Sequence, residues 1–92
     1  MSINIRRNSR KKLAAYAERV KSIRCYSLSN CFTAQDCTEN MIKSYGSVAA
    51  IFEKDLTNDR MKRTKLTVNE DDTNLVLHIH SNLWYEFSLD KA

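Results

Sequence analysis

From Lys65 to Leu89 most apolar residues, Val76 and Trp84 apart, fall at every second position within three short stretches, a spacing that only extended chain can turn to one side. Leu66 and Val68 alternate with Lys65 and Thr67. Leu75, Leu77 and Ile79 alternate with Val76, His78 and His80, and Leu83, Tyr85, Phe87 and Leu89 with Trp84, Glu86, Ser88 and Asp90. The polar run NEDDTN at 69–74 separates the first two stretches, and Ser81-Asn82 separates the last two. Strands joined this briefly pair as an antiparallel meander. Such a meander has one apolar face, which must be covered by the rest of the chain.

The preceding residues carry helical spacing. Over 9–25, Leu13, Tyr16, Ala17, Val20 and Ile23 or Arg24 share one face, and Lys11, Lys12, Ala15, Glu18, Arg19 and Ser22 share the other. Asn8 or Ser9 supplies the cap. Cys25–Phe32 (CYSLSNCF) has no helical period and reads as a loop with room for a short strand. Thr33, with Asp36 three positions later, then looks like a helix start. From Cys37 a stripe runs through Met41, Tyr45, Val48, Phe52 and Leu56, and Asn58 and Asp59 end it. This stripe passes Gly46. Either one helix spans 34–57, or two helices meet at Gly46 with Ser47 capping the second, and the unbroken phase favours one helix.

With 92 residues, no proline and one glycine, the expectation is a single α+β domain over 1–92. It comprises an N-terminal helix, one long or two shorter central helices, and a three-stranded antiparallel β-meander packed on them, with residues 1–8 as a basic arm. No apolar run is long enough to cross a bilayer, and MSINIRRNSRKK has no apolar segment behind its charges, so a cytoplasmic protein is expected. Three cysteines, an odd number in a chain large enough to fold without staples, fit reduced thiols.

The net charge of +4 hides an asymmetry. Residues 1–24 hold eight basic residues against Glu18 alone, a net +7, while residues 25–92 hold seven basic and ten acidic, a net −3. Arg6, Arg7, Arg10, Lys11 and Lys12 lie within seven positions, followed by Arg19 and Arg24. Three of these cations occupy the first helical turn, where the helix dipole favours acids. Arginine's planar fork suits phosphate and carboxylate. This basic quarter is therefore the first candidate contact surface. The outer face of the meander is the second, with Arg63, Lys65 and Thr67 on its first strand, Val76, His78 and His80 on its second, and Trp84, Glu86 and Ser88 on its third.

Catalysis and metal binding find little to build on. Cys25, Cys31 and Cys37 stand six apart, unlike the close pairs that bring two thiolates to one zinc ion. Cys37 lies on the core stripe, where a free thiol acts as a small hydrophobe. No activated nucleophile, oxyanion turn or phosphate-cradling glycine loop is present in the sequence. Glu70, Asp71 and Asp72 read as a solvated hairpin tip. The expectation is a non-enzyme with no cofactor, metal or small-molecule substrate.

In size, compactness and lack of catalytic groups, and in its opening MSINIRRNSRKKLAAYAERVK, the chain resembles the small phage-encoded anti-CRISPR proteins, particularly type I-F inhibitors, though its basic end departs from the many acidic, DNA-mimicking members. The likeness is one of profile across the full length and carries over no functional residue. It implies stoichiometric docking on a ribonucleoprotein effector complex, with contacts to its protein subunits or guide RNA that block target DNA recognition, in the host cytoplasm and away from any membrane. The competing class is a small DNA- or RNA-binding regulator, a winged helix with its helix-turn-helix bend at Gly46. Against that, the helix after Gly46 (SVAAIFEKDLTND) carries three acids and one lysine.

Overall fold

The computed structural model describes residues 3–5, 10–57 and 65–91, with side chains from 11–54 and 65–91. Strand β1 (Ile3–Ile5) is followed by α1 (Arg10–Arg19) and β2 (Val20–Ser27), a short 3-10 turn at Leu28–Asn30, and the two-residue strand β3 (Gln35–Asp36). Then come α2 (Thr38–Tyr45), α3 (Val48–Thr57), β4 (Lys65–Val68), β5 (Asn74–His80) and β6 (Leu83–Leu89).

The expected meander is present as β4-β5-β6, with Leu66 opposite Leu77 and Leu75 opposite Phe87. It forms only the middle of a wider sheet. Six strands lie in the order β1-β4-β5-β6-β2-β3, with every neighbouring pair antiparallel. The largest addition is β2, because the expected helix over 9–25 stops at Arg19 and residues 20–27 pair with β6 instead. Val20, Ile23 and Tyr26 are better strand formers than helix formers. In the extended chain Ile23 becomes fully buried opposite Phe87. The α-to-β switch at Arg19/Val20 is followed by a bulge between Val20 and Ser22. At the far edge Ile3–Ile5, expected within the basic arm, pair with Val68, Thr67 and Leu66.

The central helical stretch divides at Gly46. Gly46 has φ +96°, a conformation that side-chain-bearing residues avoid, and its N–H bonds the Ile42 carbonyl to close α2. The Ser47 hydroxyl accepts from the Ala50 N–H at 3.1 Å and starts α3. The unbroken stripe therefore does not mean one helix; two helices share it by packing on the same sheet. The first of them begins at Thr38, later than expected from Thr33. Asp36, not Thr33, supplies the acceptor, taking the Thr38 N–H at 3.0 Å and its hydroxyl at 2.7 Å.

Helices cover one face of the sheet. Leu13 from α1, Met41 from α2, and Ile51 and Phe52 from α3 join Ile23, Leu66, Val68, Leu75, Leu77, Ile79, Phe87 and Leu89 in one core. Phe52 meets Phe87 edge-on, with ring centroids 5.0 Å apart and planes at 67°. Burying these side chains is the main favourable term for so small a chain. Among the described residues no helix is long and apolar enough to cross a membrane.

Candidate functional site

The expected basic surface does not form one patch. Arg6, Arg7 and Arg63 lie outside the described residues, as do Asn8, Ser9, Asn58 and Asp59. Arg10, Lys11 and Lys12 do occupy the first turn of α1, and that turn contains no acid. Lys11 and Lys12 are exposed.

Arg19 belongs to a different structure. Its Nη1 donates to the Asp72 carboxylate at 2.7 Å, its Nη2 to the Asp72 carbonyl at 2.9 Å, and its Nε to the Asp90 carbonyl at 2.9 Å. With 19% of its side chain exposed and its fork filled, Arg19 is a structural clamp rather than part of an open basic face. Tyr16 adds a hydroxyl bond to Asp72 at 2.8 Å. These two donors, Arg19 first, hold the Asp72 carboxyl below its ordinary range. The Asp72 backbone has φ +58°, which an aspartate tolerates better than most residues. Of the acidic tip, Asp72 thus turns back on α1.

Arg24 also changes neighbourhood. In a helix it would share a side with Val20; on β2 it lies on the sheet face opposite the helices, paired in register with Glu86. One guanidinium nitrogen sits 3.7 Å from the Glu86 carboxylate, and its Nε is buried with no hydrogen-bond partner. Glu86 also accepts from Asn74 Nδ2 at 3.1 Å and from the Tyr26 hydroxyl, a bond that pushes the Tyr26 phenol above its ordinary value.

On this same face a cross-strand row runs over four strands. Lys65 on β4 is opposite His78 on β5, His78 is opposite Trp84 on β6, and Trp84 is opposite Tyr26 on β2. Side chains at directly paired positions stand next to each other. The Trp84 ring lies parallel to Tyr26 (centroids 5.5 Å apart, planes at 8°) and to Phe32 (5.2 Å, 14°). His78 is held below its ordinary value by burial and by the Lys65 charge, so its ring is neutral near pH 7, with Nε2 3.2 Å from the Thr67 hydroxyl.

The residues after β2 bring Phe32 to Trp84. Asn30 accepts the Ser27 N–H at 3.0 Å and donates to Gln35 at 3.2 Å, while the Phe32 N–H bonds the Ser27 carbonyl at 2.9 Å. The Leu28 N–H reaches Asn82 in the β5–β6 turn at 3.0 Å. Cys31 and Phe32 both adopt left-handed backbone, at φ 56° and 59°. Two adjacent non-glycine residues there store strain that the surrounding bonds must outweigh. The segment leaves Leu28 61% and Phe32 38% exposed. Trp84 and Lys65 were legible as members of this face. Tyr26 falls in the stretch 25–32 that reads as a loop, and Phe32 depends on a turn with no glycine or proline to mark it.

The thiols and imidazoles do not converge. Cys31 is exposed on the turn, whereas Cys37 is half-buried beside the Ile23 carbonyl, where burial pushes its thiol up to about 11. His78 lies on the sheet face opposite the helices, the register shifts between it and His80, and among the described residues no three His, Cys, Asp or Glu side chains group as a metal site. An open trough of about 530 Å³ lies between β2 and the start of α2. It mixes Lys21 with Asp36 and Glu39, and Asp36 is already bonded to Thr38. Compared with known proteins, the chain matches no family model, no curated protein and no solved structure.

Proposed function

We propose that the chain is a non-catalytic binding protein that docks on a nucleoprotein complex, in the manner of a phage inhibitor seated on a CRISPR surveillance ribonucleoprotein and blocking target DNA recognition. The observation that carries this reading is the first turn of α1. Three consecutive cations, Arg10, Lys11 and Lys12, stand at the positive end of a helix with no acid among them, and Lys11 and Lys12 are exposed. Each such charge costs a helix a few tenths of a kcal/mol. An anionic partner, whether RNA backbone or acidic protein, repays that cost on docking.

The regulator reading finds less support. After Gly46, α3 buries Ile51 and Phe52 in the core and exposes Glu53 beside Lys54, a poor composition for a helix entering the major groove.

The test is capture of partners from host lysate on immobilised protein, with and without nuclease, beside a Lys11→Ala/Lys12→Ala variant whose folding is checked by circular dichroism. Retention of a ribonucleoprotein by the parent chain and its loss in the folded variant is the expected result. Equal retention by both proteins removes α1 as the contact surface.

A further inference from the structure

We infer that the sheet face opposite the helices is a stacking platform for single-stranded nucleic acid, laid across the strands along Lys65, His78, Trp84 and Tyr26. The inference stands on a different surface from the first turn of α1 and does not rest on its docking role.

Three features of the row point to this occupant. First, its members are planar groups ending in a cation. Neighbouring strands lie about 4.8 Å apart, so the four positions span about 14 Å, room for two or three splayed nucleotides. Trp84 already gives ring surface to Tyr26 and Phe32 but stays half-exposed, and what they leave open accepts any base while a lysine at one end neutralises a phosphate. Second, the row contains no acid. Its acidic neighbour Glu86 is held by Arg24, Asn74 and Tyr26, so its charge is turned along the sheet and is balanced. Third, the platform is ordered in advance. Asn30 braces the turn that carries Phe32, and the chain holds Cys31 and Phe32 in left-handed backbone to set the Phe32 ring parallel to Trp84. Strain of this kind persists where a fixed geometry is required.

A protein partner fits less well. Contact centres in protein interfaces are aromatic anchors closed off from water within an apolar surround. Here the exposed or half-exposed side chains around Trp84 on the sheet are Tyr26, His78, Glu86 and, one strand further, Lys65, so the surround is polar apart from Tyr26. Among them only the turn, through Leu28 and Phe32, offers large exposed hydrophobic side chains.

Trp84 is the single tryptophan of the sequence, so its fluorescence reports on the row itself. The full chain is titrated with oligouridylate and oligothymidylate of about ten nucleotides at about 50 mM salt, with a duplex of equal length in parallel. Saturable quenching by the single strands, with the duplex at least about ten-fold weaker, is expected. Phe32→Ala should weaken binding by about ten-fold or more, and Lys65→Ala should reduce the salt slope by about one while leaving the fold unchanged. Trp84→Leu, followed through a dye on the oligonucleotide, should behave like Phe32→Ala. The Lys11→Ala/Lys12→Ala variant should still be quenched, which separates this inference from the docking role of α1. Absence of saturable quenching overturns the inference. So does oligonucleotide binding that survives Phe32→Ala but is lost in the α1 variant, and so does a protein captured through Phe32 by a chain that binds no oligonucleotide.

Discussion

Arg19 grips Asp72 at two points, the carboxylate at 2.7 Å and the main-chain carbonyl at 2.9 Å, and so fixes the end of α1 to the β4–β5 hairpin 53 residues further along the chain. The chain turns from helix to strand at this point, and the clamp holds the turning point in place. Because Asp72 also takes the Tyr16 hydroxyl, one carboxylate locates two residues of the helix.

Asp72→Asn keeps the side chain's shape and its tolerance of positive φ but removes the charge. Asp72 is 46% exposed, so solvent screening reduces the loss to about 1 kcal/mol at pH 7. The sign with pH follows from the lowered carboxyl. A group held below its ordinary value near 3.8 stabilises the fold fully above that value, and the contribution fades as pH falls through the lower, folded one. Urea midpoints for parent and variant should therefore stay a constant distance apart from pH 5 to 8 and converge below about pH 4. A gap that widens in acid would contradict this.

At Gly46 the helix break has a cost that can be predicted from backbone alone. A Cβ built there meets nothing within 4 Å, so Gly46→Ala creates no clash and pays only for φ +96°, about 1–2 kcal/mol. Gly46→Asn should cost less, since asparagine visits positive φ more readily. Equal losses for the two would show that side-chain contacts, not backbone, set the penalty.

Ser47→Ala removes the acceptor for the Ala50 N–H and should cost about 1 kcal/mol. Because Ser47 is exposed, denaturant unfolding should show a lower midpoint with an unchanged slope. Ser47→Asp should recover most of the stability, because an acid suits the start of a helix.

Thiol labelling should distinguish the cysteines. At pH 8 a thiol held near 11 is ionised to only about one part in a thousand, and Cys37 is also half-buried. Peptide mapping after brief treatment with iodoacetamide should find Cys31 modified first and Cys37 only after denaturation. Early modification of Cys37 would mean that the β3–α2 junction opens readily.

Legibility differed by element for physical reasons. The β4-β5-β6 strands were readable because each carries apolar alternation on its inner face, with Val76 and Trp84 as the apolar members of a mainly polar outer face. Strand β2 was not, because Leu13, Tyr16, Ala17 and Val20 share a helical face and Val20 and Ile23 continue that spacing. Of its own alternating residues Cys25 is only half-buried, and Tyr26 lies on the uncovered face. Pairing with β6 decides the matter, and no local window contains both strands. Ile51, fully buried, was missed beside the stripe through Val48 and Phe52 because a helix lying on a broad sheet buries a wider face than one line of residues. The candidate sites divide the same way. The cations opening α1 and the Lys65–Trp84 face were visible as residue types, whereas the use of Arg19 as a clamp and the meeting of Phe32 with Trp84 arise only from tertiary geometry.

The strand order β1-β4-β5-β6-β2-β3 also governs how the molecule meets its own copies. A six-stranded antiparallel sheet ordinarily invites another chain to extend its ladder, yet among the described residues this one tapers to three on one side and two on the other. An incoming strand would find only a few backbone groups in line before the edge ran out, too few to propagate. The breadth of the sheet is thus separated from the length of its described borders.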